Sequence, residues 1–183
     1  MALRYPSTVE EWKTAALMAA DRRANPRPSQ DQDSDGVKTT LDSETHGIVA
    51  ELLVARILKA YPTALIGYDK TQPDIDGGPW KIEVRSTHHK DGHLMVRPQR
   101  DAGKSASMFI LVTYDIWGGR RALYTVHGGM LGKDVAEGSI EKKGGKYWQE
   151  NPFGTKGKPA WCVPQEDLIP FEDLLVRVQG EAA

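Results

Sequence analysis

The clearest hydrophobic and polar pattern in the chain runs from Trp80 to Arg85. Trp80, Ile82 and Val84 alternate there with Lys81, Glu83 and Arg85. A period of two predicts a half-buried strand with one apolar face and one face reading plus, minus, plus. Immediately upstream, Asp76-Gly77-Gly78-Pro79 is turn chemistry, since glycine supplies positive φ and proline presets its own. Asp74 and Glu83 therefore belong to the two arms of one hairpin. Residues 42–60 predict a helix of another kind. Nearly every position from Ile48 to Leu58 is apolar, which marks a helix buried on most of its surface. Glu51 interrupts that run. A lone buried carboxylate costs several kcal/mol or neutralises itself, so it needs a cation or a metal as partner. Arg56 and Lys59, on the same helix, are the structural alternative.

The rest of the chain has weaker patterning. Ser7-Thr8-Val9-Glu10 is a capping box that opens a helix to about Arg23. Residues 25–37 are polar and proline-containing, without core-forming side chains, and predict a linker. Its Asp31-Gln32-Asp33-Ser34-Asp35-Gly36 stretch looks superficially like a calcium loop but lacks the closing glutamate, Asp42 standing there instead. Residues 92–98 predict a short strand paired with the strand of Glu83, and residues 99–106 a short helix. The β-branched and apolar run 108–116 predicts a central buried strand, joined through Gly118-Gly119 to a strand over 120–127. Residues 138–158 are rich in Gly and Lys around Tyr147, Trp148 and Phe153, a surface insert that can also bind nucleic acid. Residues 160–178 predict a closing strand and a short helix. The expected organisation is an N-terminal helix over 1–24, an acidic linker over 25–41, and one domain over 42–183.

Composition changes the picture in three respects. A chain of 183 residues is ample for a single core. The single cysteine, Cys162, excludes a disulfide scaffold and suits a reducing compartment. No apolar run approaches the length of a membrane span, and the opening residues do not start a secretory signal, so a cytoplasmic protein is expected. The net charge of −1 is unevenly spread. Residues 81–121 hold eight basic side chains against four acidic ones, whereas residues 29–46 and 166–183 each hold five acidic against one basic. A positive segment between negative flanks suits contact with phosphates. His88, His89 and His93 supply three imidazoles but no fourth ligand at usual spacing, so a zinc site is not expected. No glycine-rich phosphate loop and no GxSxG elbow is present, and no nucleotide cofactor is implied.

The stretch Gln72-Pro73-Asp74-Ile75-Asp76-Gly77-Gly78-Pro79-Trp80-Lys81-Ile82-Glu83-Val84-Arg85, behind a helix carrying Gly47-Ile48-Val49-Ala50-Glu51, resembles the PD-(D/E)xK nuclease superfamily. The resemblance covers residues 42–133. It implies an α/β fold with a restriction-endonuclease-like mixed β-sheet flanked by helices. It further implies a Mg²⁺-dependent nuclease, in which Mn²⁺ can substitute, acting on phosphodiester bonds in DNA, and most simply an endonuclease. Asp74, Glu83 and the Val84 carbonyl would hold the metal, with Glu51 as an outer or second-metal ligand. Arg85 stands where the superfamily places lysine, which leaves open a catalytically inactive relative that binds nucleic acid or a protein partner. Asp76 is an alternative to Asp74, and Lys81 to Arg85. Gln99 and Arg100 are expected as phosphate or water contacts. The implied partner is nucleic acid, DNA first; a homodimer is left open. A compact chain of this kind is similar to stand-alone nucleases of phages and mobile elements.

Overall fold

A computed structural model describes residues 2–24, 41–63, 72–97, 108–117, 121–132, 134, 147–150 and 159–180. The fold is mixed α/β. In chain order the elements are β1 (Leu3–Pro6), α1 (Val9–Ala24), α2 (Leu41–Leu58), β2 (Tyr61–Pro62), β3 (Ile75–Gly77), β4 (Trp80–Thr87) and β5 (Leu94–Val96). They continue with β6 (Met108–Trp117), β7 (Arg121–Leu131), β8 (Trp148–Gln149), β9 (Ala160–Val163), a 3-10 turn (Gln165–Asp167), β10 (Ile169–Pro170) and α3 (Phe171–Gly180). A seven-stranded sheet has the order β1-β7-β6-β4-β3-β2, with β10 also pairing β7. A second sheet, β5-β9-β8, has three strands.

The centre of the large sheet is β6. It runs parallel to β4, from Ile82 beside Met108 to Thr87 beside Thr113, and antiparallel to β7 on its other edge. Both of its faces are covered, which is why its sequence is a continuous apolar run rather than an alternation. Met108, Ile110 and Val112 join Ile82 and Val84 in a core with Ile48, Val49 and Leu53 of α2. Phe109 and Leu111 join a second core with Leu94, Val96, Met130, Val163 and Leu168, which lines the second sheet.

The N-terminal segment is built into this body. β1 lies antiparallel on the edge of β7, from Leu3 beside Val126 to Pro6 beside Leu123. No sequence signal had pointed to this strand. The capping box of α1 sits one residue later than expected. Thr8 Oγ1 accepts from the Glu11 amide at 3.1 Å, and Glu11 Oε2 accepts from the Thr8 amide at 2.6 Å. Ser7 is drawn elsewhere: its Oγ accepts from the Trp12 indole at 2.7 Å and donates to the Ala122 carbonyl at 3.4 Å. α1 then packs antiparallel on α2. Ala15 and Ala19 are fully buried between them. Arg56–Glu11 at 2.9 Å and Arg23–Glu44 at 3.1 Å tie the two ends. α2 stops in a Schellman arrangement, the Ala60 amide reaching the Ala55 carbonyl at 2.9 Å, with Lys59 at φ 53° where glycine is usual.

Other expectations need correction or lie outside the description. β5 pairs with β9, Leu94 beside Val163, and not with the strand of Glu83. The edge of β4 facing away from the hairpin is already occupied by β6, so the chain leaves the large sheet after Thr87. The strand expected to end at His127 continues to Leu131 through a register shift opposite Leu111 and Val112. Gly128 and Gly129 permit that continuation. A Cβ at Gly128 would lie 2.1 Å from the Ile169 carbonyl oxygen, and one at Gly129 would lie 2.2 Å from that of Phe109. The helix expected over 99–106, nearly all of the expected linker, and all of the insert except 147–150 fall outside the described residues. Among the described residues, no helix is long and apolar enough to cross a membrane.

Candidate active site

β3 and β4 form the expected hairpin, pairing Ile75 with Ile82, Asp76 with Lys81 and Gly77 with Trp80. Asp74 lies just before β3. Its Oδ2 accepts from the Val84 amide at 2.8 Å, which locks the carboxylate against the middle of β4. In an extended strand the carbonyl of a residue points to the same side as its amide. The Val84 carbonyl therefore faces the Asp74 side of the strand as well.

Glu83 is completely buried. Arg85 Nη1 donates to its Oε2 at 3.0 Å, and the Arg85 guanidinium carbon lies 6.0 Å from the centroid of the Phe109 ring. Phe109 is also the Cα partner of Glu83 across β4 and β6, so the strand register itself brings cation, carboxylate and ring together. The pair is charge-assisted and sits on an apolar floor.

Glu51 comes to this group from α2. Burial pushes its carboxyl well above the usual range, and the Asp74 charge pushes it further. Glu83 acts in the same direction, while Arg22 and Arg85 oppose the rise. The charges of Asp74, Glu83, Arg85 and Arg22 thus all reach Glu51. Arg22 Nη2 is 3.9 Å from Glu51 Oε2, with the two side chains 15% and 13% exposed. The expected structural partners of Glu51 are not used. Arg56 is turned about 140° from Glu51 around the helix at 100° per residue, and it engages Glu11.

Asp76 and Lys81 form a pair of their own. Lys81 Nζ donates to Asp76 Oδ2 at 2.6 Å, and the Gly78 amide reaches Asp76 Oδ1 at 3.1 Å. The Lys81 hydrogen bond holds the Asp76 carboxyl below its ordinary value. The pair closes the tip of the hairpin, and it is Asp74 whose charge reaches Glu51. Gln99 and Arg100 lie outside the described residues. Arg22 is not legible in the sequence, because it lies on another helix and no spacing along the chain connects it with Glu51. The one available signal was a need: a buried acid in α2 required a cation from somewhere.

Among the described residues, no group of three or more His, Cys, Asp or Glu side chains is arranged to hold a metal ion. The His88 and His89 rings are tilted at 38° with centroids 4.0 Å apart. The chemistry of the acidic cluster nevertheless suits a hard divalent cation. Its donors are all oxygen, and Glu51 Oε2 is buried without a hydrogen-bond partner. No protein-family model, no curated protein and no solved structure matches the chain.

Proposed function

We propose that this protein is a metal-dependent nuclease with a restriction-endonuclease-like fold, cutting phosphodiester bonds within DNA. One observation carries the reading. Glu51 of α2 is held, largely out of water, in the field of Asp74 and Glu83 of the β3–β4 hairpin, with Arg22 of α1 3.9 Å away and Arg85 of β4 paired to Glu83. Such a cluster opposes folding, because two like charges and the loss of water all work against a buried carboxylate. Strained titratable groups of this kind are characteristic of functional sites. The hairpin, the strand parallel to it and the helix lying over both support the fold reading in the same way.

Asp74, Glu83 and the Val84 carbonyl would hold Mg²⁺, with Glu51 as a further ligand. A bound Mg²⁺ supplies an activated water and neutralises charge developing on the phosphate. Asp74 is kept in place by the Val84 amide, so its second oxygen is presented without a search through rotamers. Arg85 carries a permanent charge and cannot accept a proton. Its work is to orient and stabilise a phosphate oxygen beside Glu83, from a side chain steadied by Phe109.

The decisive test is cleavage of labelled duplex, nicked and single-stranded DNA by the purified protein. Mg²⁺ or Mn²⁺ should support cutting and EDTA should abolish it. Cutting that persists undiminished in EDTA, or an inert protein that binds no nucleic acid, overturns the reading. A second reading has its own observation. The 3.0 Å contact of Arg85 with Glu83 already neutralises one expected ligand. A binding module descended from a nuclease would look the same, and would bind DNA without cutting it under any metal.

A further inference from the structure

We infer that His127 of β7 is a further substrate-contacting residue of the candidate site, donating a hydrogen bond to the nucleic-acid backbone beside the phosphate that Arg85 holds. The inference rests on the nuclease reading above and adds to its site a residue two strands away from β4.

A β-bulge places His127. Leu111 pairs with Gly128 and Val112 with Val126, so His127 is the extra residue of β7, without a partner across the ladder. Bulges of this kind bend a strand and re-aim a side chain, and they gather beside active sites. Ala122, Tyr124 and Val126 fill the core under α2, whereas His127 turns to the opposite face. There its Nε2 lies 2.8 Å from Thr113 Oγ1, and Thr113 alternates along β6 with Phe109 and Leu111 of the second core. The β4–β6 register pairs Glu83 with Phe109, Arg85 with Leu111 and Thr87 with Thr113. Glu83, Arg85, Thr113 and His127 therefore share one face of the sheet. Thr113 stands one strand across and two residues along from Arg85, about 8 Å between Cα atoms at the usual strand spacing and rise.

The ring is held by one nitrogen and open at the other. Burial lowers the imidazole below its ordinary value, so near neutral pH the ring is uncharged and carries one N–H donor. The Thr113 hydroxyl can donate to Nε2, which puts the ring proton on Nδ1. Nδ1 has no hydrogen-bond partner among the described residues and is not sealed from solvent. The bulge and Thr113 thus fix the direction of a donor that a surface histidine would leave loose. Beside the Arg85 guanidinium, such a donor suits the phosphate and sugar oxygens to which proteins make most of their nucleic-acid hydrogen bonds.

Two amide substitutions separate contact from support. His127→Gln sets an amide nitrogen near the place of Nε2, which keeps the Thr113 bond and leaves nothing at Nδ1. His127→Asn sets one near the place of Nδ1 and gives up Thr113. Affinity for fluorescently labelled DNA, measured in Ca²⁺ so that cutting is slow, should fall about tenfold in His127→Gln and in His127→Ala. That is the loss of one hydrogen bond to a charged group. His127→Asn should recover most of the affinity, even though its Tm falls below that of His127→Gln. Circular dichroism identifies any variant that does not fold, and His127→Gln carries the test if His127→Ala fails. A histidine that only supports the bulge gives the reverse order, with His127→Gln at the parental affinity and His127→Asn weakened. In a parent that binds DNA, that order, parental affinity in every folded variant, or equal losses in His127→Gln and His127→Asn overturns this inference alone. A parent that binds no nucleic acid overturns the nuclease reading and this inference with it.

Discussion

At the scale of single residues, Glu51 and Arg85 make opposite demands. The folded state raises the Glu51 carboxyl above its ordinary value of 4.5, first by burial and then through Asp74. A raised carboxylate favours the protonated form in the folded protein. Its contribution to stability is thus fully present below about pH 4.5 and is lost as pH rises through the folded value. Glu51→Gln should remove that loss. Its melting temperature, relative to the parent, should climb as pH is raised from 4.5, while nuclease activity falls because a metal ligand is gone. Unchanged activity together with a lower melting temperature at neutral pH would make Glu51 an ordinary half of an ion pair with Arg22. Arg85 should behave otherwise. Arg85→Ala should lower activity by about 10²–10³-fold, the usual effect of removing one preorganised donor. Lys81→Ala should cost far less, since Lys81 is engaged by Asp76 at the hairpin tip. Arg85→Lys should keep activity or raise it. An inert parent whose Arg85→Lys variant cuts DNA would establish the binding-module reading, whereas full activity in Arg85→Ala would remove Arg85 from the mechanism.

At the scale of elements, legibility followed the locality of the cause. The helix of Glu51, the hairpin and the central strand were all readable, because a period of two, a long apolar run or a Gly-Gly-Pro turn is written within a few residues. Partners were less readable. β5 is legible as a strand but its neighbour β9 is not, since nothing local says which sheet edge is still open. The capping box falls one position later than its sequence pattern, because both Ser7 and Thr8 can cap. Trp12, whose indole claims Ser7, decided between them. The end of α2 yields a prediction of its own. Lys59 adopts φ 53° in an exposed position after the last turn. A non-glycine residue there costs roughly 1–2 kcal/mol, partly offset by the chain entropy that glycine would lose on folding, roughly 0.5–1 kcal/mol. Lys59→Gly should therefore stabilise the protein by about 0.5–1 kcal/mol, or roughly 1–4 °C in Tm for a chain of this size. A lower Tm would mean that Lys59 makes an interaction worth more than its backbone strain.

At the scale of the whole molecule, the N-terminal segment is a structural part and not an appendage. β1 covers the β7 edge, Ala15 and Ala19 seal α2, and Trp12 stands edge-on to the buried His46 ring at 4.9 Å. A chain beginning at Leu41 would expose this surface and an unpaired strand edge. Large apolar side chains contribute about 1.5–3 kcal/mol each on burial, against a typical total stability of about 5–15 kcal/mol. The truncated chain should lose its cooperative thermal transition and aggregate. A sharp transition within a few degrees of the full-length protein would show that residues 41–183 fold alone.

What the sequence determined by itself was chemistry and period: which strand alternates, which helix is buried, and that a carboxylate within that helix needed a counter-charge. Tertiary structure alone decided the pairings. It separated Asp74 from Asp76 by giving one the Val84 amide and the other Lys81. It turned Arg56 toward Glu11 and delivered Arg22, from a different helix, to Glu51. The physical reason is range. Hydrophobic period and turn geometry act between near neighbours in the chain, whereas charges meet wherever packed helices and strand registers happen to bring them.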